Sequence, residues 1–271
     1  MRLFLVSLAI ALLAMLPEAA GIREWDVPGF LMTVARVPAA CFGYMGVFFH
    51  ELGHTVTFWS YGQAAVPMFN FSDGGGFAQP IGGRSYILLG IVYIGWAALI
   101  YWLFANGEMR FAALALALLA LHACFAGGER FMLPVNYFGN GGAVLVGCFC
   151  IWRAALNKTV VEQNAEAERY VHMIFGLYVV LSQGLGLGFE LMTDPIGRAA
   201  YGDGIGSSHI ANDFTVLADR LDVHIQRIGA FHFAFTLFAL LVTGVLILFG
   251  LRAQEDDAAD ADVPVLHHLR K

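Results

Sequence analysis

The sequence predicts an all-α polytopic membrane protein, with about six or seven transmembrane helices and one short glycine-rich β-hairpin. Three observations carry that reading. The chain is 59% hydrophobic and 13% charged, against about 25% charged in average soluble proteins. Its apolar residues gather in runs that approach the roughly 20 residues a helix needs to cross the hydrocarbon. After one such run, residues 62–84 contain Ser72-Asp-Gly-Gly-Gly-Phe and Ile81-Gly-Gly-Arg, and glycines so placed suit the tight turns of a hairpin.

The elements follow in order. Residues 3–16 form an apolar run behind Arg2, brief for a span, and Pro17-Glu18-Ala19-Ala20-Gly21 follows it. Residues 1–21 therefore read as a signal peptide or a signal anchor. Residues 22–37 read as a polar link containing Arg23, Glu24, Asp26 and Arg36. The membrane-embedded domain is expected over 38–251. Its runs are 38–61, 85–104, the shorter 111–126 and 142–156, the long 170–192 interrupted by Gly184, Gly186 and Gly188, and 229–251. Residues 127–142 read as a loop holding Asn136 and Asn140 among glycines. Residues 193–227 read as a long polar loop, and loops of that length are functional or disordered. Residues 252–271 read as a flexible acidic tail, with His267 and His268 incidental. Lysines and arginines do not gather on one side, so the positive-inside rule gives no orientation.

The formal net charge is -6, and no basic patch carries interleaved aromatics, so nucleic-acid binding has no support. Cys41, Cys124, Cys148 and Cys150 all fall in apolar runs. They read as small buried hydrophobes, not as a disulfide framework or a thiolate zinc site.

His50-Glu51-Leu52-Gly53-His54 lies within the run 38–61. Positions i and i+4 of a helix share one face, so both imidazoles can hold one zinc ion. Glu51 lies beside them and can take a proton from an attacking water. Ionisable groups at such depth are costly and mark function. The competing reading makes His50 and His54 interhelical hydrogen-bond partners, which would leave Glu51 in need of a partner of its own. Elsewhere in the runs, His122 and His172 read as interhelical hydrogen-bond donors, Glu190 as reaching the interface, and His232 as opening the last span beside the same cavity.

Phe49-His-Glu-Leu-Gly-His-Thr-Val, then Tyr61-Gly62, then Gly74-Gly-Gly-Phe resembles the intramembrane zinc metalloproteases of the site-2 protease class, most of all the compact bacterial branch without a PDZ domain. The likeness is specific over residues 50–83 and rests beyond them on the number and length of spans. It implies a multi-pass protein of the bacterial inner membrane, a Zn2+ cofactor, and membrane-anchored protein substrates. It also implies a third ligand, since catalytic zinc usually keeps three protein ligands and one open position. The class takes an aspartate from a leucine-aspartate-glycine motif, and this chain has no such tripeptide. Asp213 is the favoured substitute, because Asn212-Asp-Phe-Thr-Val resembles a late segment of the compact branch and suits a helix start. Its competing reading is a plain helix cap at Asn212 or Asp213. His209, Asp203 in Gly202-Asp-Gly, and Asp194 are the alternatives.

The resemblance further implies that Gly74, Gly75 and Gly76 offer backbone to an extended substrate, and that Asn140 or Asn136 steadies a substrate strand or an oxyanion. Turn residues beside glycine are the plain alternative. The expected function is a zinc-dependent peptide hydrolase acting in the membrane or at its surface, with Glu51 as general base. Its rivals are a zinc-binding regulatory protein without hydrolysis and, less favoured, a transporter. A transporter of this kind shows an internal repeat of broken helices, and the zinc motif has no counterpart in the second half of the chain.

Overall fold

The computed structural model describes residues 1–70, 75–158, 165–196, 198 and 212–261. It is mostly helical, with a single two-stranded antiparallel sheet among the described residues. Helices α1 (Arg2–Arg23) and α2 (Gly29–Ser60) come first. The hairpin of β1 (Ala65–Asn70) and β2 (Gly75–Pro80) pairs Ala65 with Pro80 and Asn70 with Gly75. Helix α3 (Tyr86–Ala105) starts at Ser85, whose hydroxyl accepts the Leu88 N–H at 3.3 Å, a serine N-cap. Then come α4 (Met109–Phe125), α5 (Met132–Ala155) and α6 (Ala165–Val179). The last of these widens into the π-helical segment Val180–Gly186 and continues as α7 (Leu187–Thr193). Short α8 (Asp213–Leu221) precedes α9 (Ile225–Ala261). Six helical segments are long and apolar enough to cross a membrane, with α4 shorter at 17 residues.

Four expectations need correction. Helix α2 begins at Gly29, so residues 29–37 are helix and not link. The charges of 22–37 were the misleading signal; Pro38 sits inside the helix, which a helix tolerates when neighbours satisfy the freed backbone. Residues 132–142 belong to α5. Pro134 lies in its first turn, where the missing N–H would have had no helical partner, and the glycines that suggested a loop serve helix packing. The last helix runs on to Ala261, so 252–261 is helical; alanines there favour helix, and Gln254 Nε2 donates to the Leu156 carbonyl at 3.1 Å. Cys41 and Cys124 are exposed, while Cys148 and Cys150 are buried; all four are free.

Helix α5 is central, packing on α2, α6, α8 and α9. Small residues set how closely the helices approach, as is usual in membranes. A Cβ on Gly53 of α2 would collide with the Phe138 carbonyl oxygen of α5, and one on Gly142 would stand 3.2 Å from Gly53 Cα. Where α5 crosses α6, a Cβ on Gly176 would lie 2.6 Å from the Gly147 carbonyl oxygen. The interruption at Gly184, Gly186 and Gly188 is likewise no break: Gly184 abuts Thr236 and Gly188 abuts Phe233, both on α9. Ala11 and Ala14 of α1 join Ala143 of α5 and Phe175 and Tyr178 of α6 in one buried cluster. Helices α3 and α4 stand to one side, packed mainly on each other, and expose Ile87, Ile94, Phe111 and Leu114.

Gly176→Val is expected to destabilise the fold by about 1–3 kcal/mol through overpacking. Gly244 of α9 has nothing within 4 Å of an added Cβ, so Gly244→Ala is expected to stabilise by about 0.5–1 kcal/mol. Thermal unfolding of the detergent-purified chain checks both.

Candidate metal centre

Helix α2 presents His50 and His54 one turn apart, their Nε2 atoms 3.1 Å from each other. Asp213, the first residue of α8, brings its Oδ2 to 2.9 Å from His50 Nε2 and 3.0 Å from His54 Nε2. The three donor atoms lie within 4.8 Å of one another, the one such group among the described residues. Ligand atoms around a tetrahedral zinc with bonds of about 2.0–2.1 Å are roughly 3.3 Å apart. The observed triangle is slightly tighter, and two imidazoles plus a carboxylate is a donor set zinc accepts.

The tautomer argues for a cation. His54 Nδ1 lies 2.7 Å from the Val135 carbonyl of α5. A carbonyl can only accept, so Nδ1 carries the proton and Nε2 is the atom turned toward His50 and Asp213. This is the outer support that fixes ring orientation in most histidine metal sites. With both Nε2 atoms facing each other, protons can bridge the three groups only in pairs, whereas one cation satisfies all of them. The Asp213 carboxylate is suited to that role. Burial alone would raise its pKa, but His50 and His54, when they carry protons on the nitrogens that face it, hold it below the usual carboxylate range. It also begins α8, and a helix N-terminus favours negative charge.

Glu51 stands beside this group without joining it. Its Oε1 is 4.0 Å from His50 Nε2, the residue is buried, and its Oε2 has no protein hydrogen-bond partner among the described residues. A buried carboxylate oxygen left unpaired is expensive, and such atoms call for a functional explanation. Strand β2 covers it at Gly76, where a Cβ would stand 2.7 Å from Glu51 Cγ. Helix α5 closes the other side at Gly139. A Cβ there would run into His54 Nε2 and lie 2.8 Å from His50 Nε2, filling the space a metal would take.

The remaining candidates separate clearly. Gly74, Asp203 and His209 lie outside the described residues. Asp194 pairs with Arg23 at the end of α1, away from the centre, and Glu190 lies 3.9 Å from the same guanidinium. Gly75 pairs with Asn70, and nothing lies within 4 Å of an added Cβ. Asn136 and Asn140 are buried within α5, not in a turn, and Asn136 Nδ2 has no partner among the described residues. His122 Nε2 bonds the Ser60 carbonyl of α2 at 3.0 Å, across helices as expected. His172 Nδ1 instead bonds the Glu168 carbonyl of its own helix at 2.8 Å. Sequence reasoning missed two parts of the centre. Gly139 carried a signal, a glycine inside an apolar stretch; the Val135 carbonyl carried none, because any residue has one.

No family model, no curated protein and no solved structure matches this chain. The donor set and its surroundings are therefore the basis for any functional reading.

If the group holds a metal, Gly139→Ala is expected to lower uptake of zinc, used as the probe ion, while helical content, followed by circular dichroism, is retained. Asp213→Asn is expected to weaken zinc affinity by at least about tenfold, the lower end for perturbing a metal site. Equilibrium dialysis against zinc measures both.

Proposed function

We propose that this protein is a zinc-dependent peptide hydrolase that works within a membrane or at its surface on membrane-anchored protein substrates. The observation that carries the reading is the pairing of a His50–His54–Asp213 donor set with a separate, buried, unpartnered carboxylate at Glu51. A site built only to store or sense metal has no use for that fourth group. His50, His54 and Asp213 would hold the ion, which when bound polarises a scissile carbonyl and brings the pKa of water toward about 7.

The chain's own residues supply the rest. Glu51 accepts the proton of the attacking water at Oε2 and passes it to the leaving amine nitrogen, as a general base that becomes a general acid. The Val135 carbonyl keeps the His54 ring turned toward the site. Strand β2 passes over Glu51 at Gly76, so an unwound substrate adding to the hairpin edge would run past the base. Gly75 and Gly76 carry no side chain there that would keep a substrate strand away. Asn140, buried in α5 one residue from Gly139, would steady a substrate carbonyl. Six segments of spanning length and composition make a multi-pass membrane setting, of the bacterial inner-membrane kind, the natural one for this chemistry.

The test uses the purified chain in vesicles with a fluorescent single-span reporter. Glu51→Gln is expected to lower cleavage by about 10²–10⁴-fold while retaining one zinc per chain. A chelator should remove activity and added zinc restore it. Cleavage that survives Glu51→Gln removes Glu51 from the mechanism. Wild-type protein that binds zinc but cleaves nothing replaces the hydrolase with a binding protein.

A further inference from the structure

His232, on α9, is fully buried and bonded at both ring nitrogens. Its Nε2 lies 2.8 Å from the Gln183 backbone carbonyl, which can only accept, so Nε2 carries the proton. Its Nδ1 is then the acceptor and faces the Tyr137 hydroxyl at 3.4 Å. With no lone pair to spare, this imidazole is not a ligand for any ion. Gln183 lies in the π segment, and such local widenings recur at functional sites. Its side chain packs at Gly46, where a Cβ would stand 2.5 Å from Gln183 Nε2, one turn before His50 on α2. The His232 bond thus ties the last helix to the segment that flanks the zinc motif.

The ring held in this way has a second contact. It meets the Phe214 ring in a T-shaped contact, 4.9 Å between centroids and 62° between planes, and Tyr137 stacks on the same phenyl group at 6.1 Å and 20°. Phe214 is itself fully buried and immediately follows Asp213. Helix α8 is only nine residues long, so the seat of Phe214 decides where Asp213 points.

We propose that His232 is a positioning residue for the metal centre: through Phe214, clamped against Tyr137, it holds the Asp213 carboxylate on His50 and His54. The inference rests on the metal-centre reading above. It assigns to α9 and α5 a part in metal affinity, although neither contributes a ligand.

The test is a double-mutant cycle on the full chain in detergent, with zinc affinity read by competition against a chromophoric chelator. His232→Phe is expected to weaken zinc affinity about 10–100-fold, the range for outer supports of metal ligands. His232→Gln keeps a donor for the Gln183 carbonyl and should recover most of that loss. Tyr137→Phe, a milder variant that keeps the packing, should weaken affinity in the same direction if His232→Phe does not fold. In an Asp213→Asn background each of these substitutions should have almost no further effect, because groups that act as a unit are non-additive. Equal losses in both backgrounds, or undiminished zinc affinity in folded His232→Phe or Tyr137→Phe, overturn the proposal while leaving the metal centre standing. Wild-type protein that binds no zinc overturns the metal centre itself, and this role with it.

Discussion

Two imidazole nitrogens and a carboxylate oxygen meet within about 3 Å inside an apolar helical assembly, and much else in the structure is arranged around that meeting. In water the three groups would be solvated separately. In a low-dielectric interior each would need its own partner, and an unpaired one would be costly. One shared cation satisfies all three. The convergence is therefore both the most expensive feature of the chain and the one with the clearest chemical purpose.

Glycine makes the convergence sterically possible. Gly53 and Gly142 let α5 lie against α2, Gly139 leaves room at the imidazole nitrogens, and Gly76 lets β2 lie on Glu51. At these positions the space is already taken by a backbone or by the groups of the centre. Close approach also lets a backbone carbonyl, that of Val135, serve as the partner of His54. The same principle governs the second half of the chain, where Gly184 and Gly188 bring the π segment and α7 against α9. Helix packing and site construction are one problem here, solved with one residue type.

Much of this was legible in the linear sequence. The apolar runs located the long apolar helices, because hydrocarbon thickness sets a length and composition that can be counted along the chain. The histidine pair was legible because i and i+4 are neighbours on a helix whatever the rest of the fold does. The hairpin was legible from its glycines. Asp213 was legible only as one of several polar residues in a long segment. The errors share a cause. Residues 29–37 were read as link and the glycines of 139–142 as loop, yet both lie inside helices. In an apolar helical assembly the need to satisfy every backbone group internally overrides local propensity.

The sequence by itself determined the helical membrane-type architecture and the His50–Glu51–His54 half of the centre, since both rest on short-range periodicity. Tertiary structure alone decided which carboxylate completes the donor set, because Asp213 is 159 residues from His54 and no local rule relates them. It alone decided that Glu51 is covered by Gly76, that Val135 orients His54, and that Phe214 packs on both Tyr137 and His232. Those are contacts between distant segments, and their energies depend on how closely whole helices approach. Spacing along the chain cannot encode that approach; the glycines at the crossings permit it.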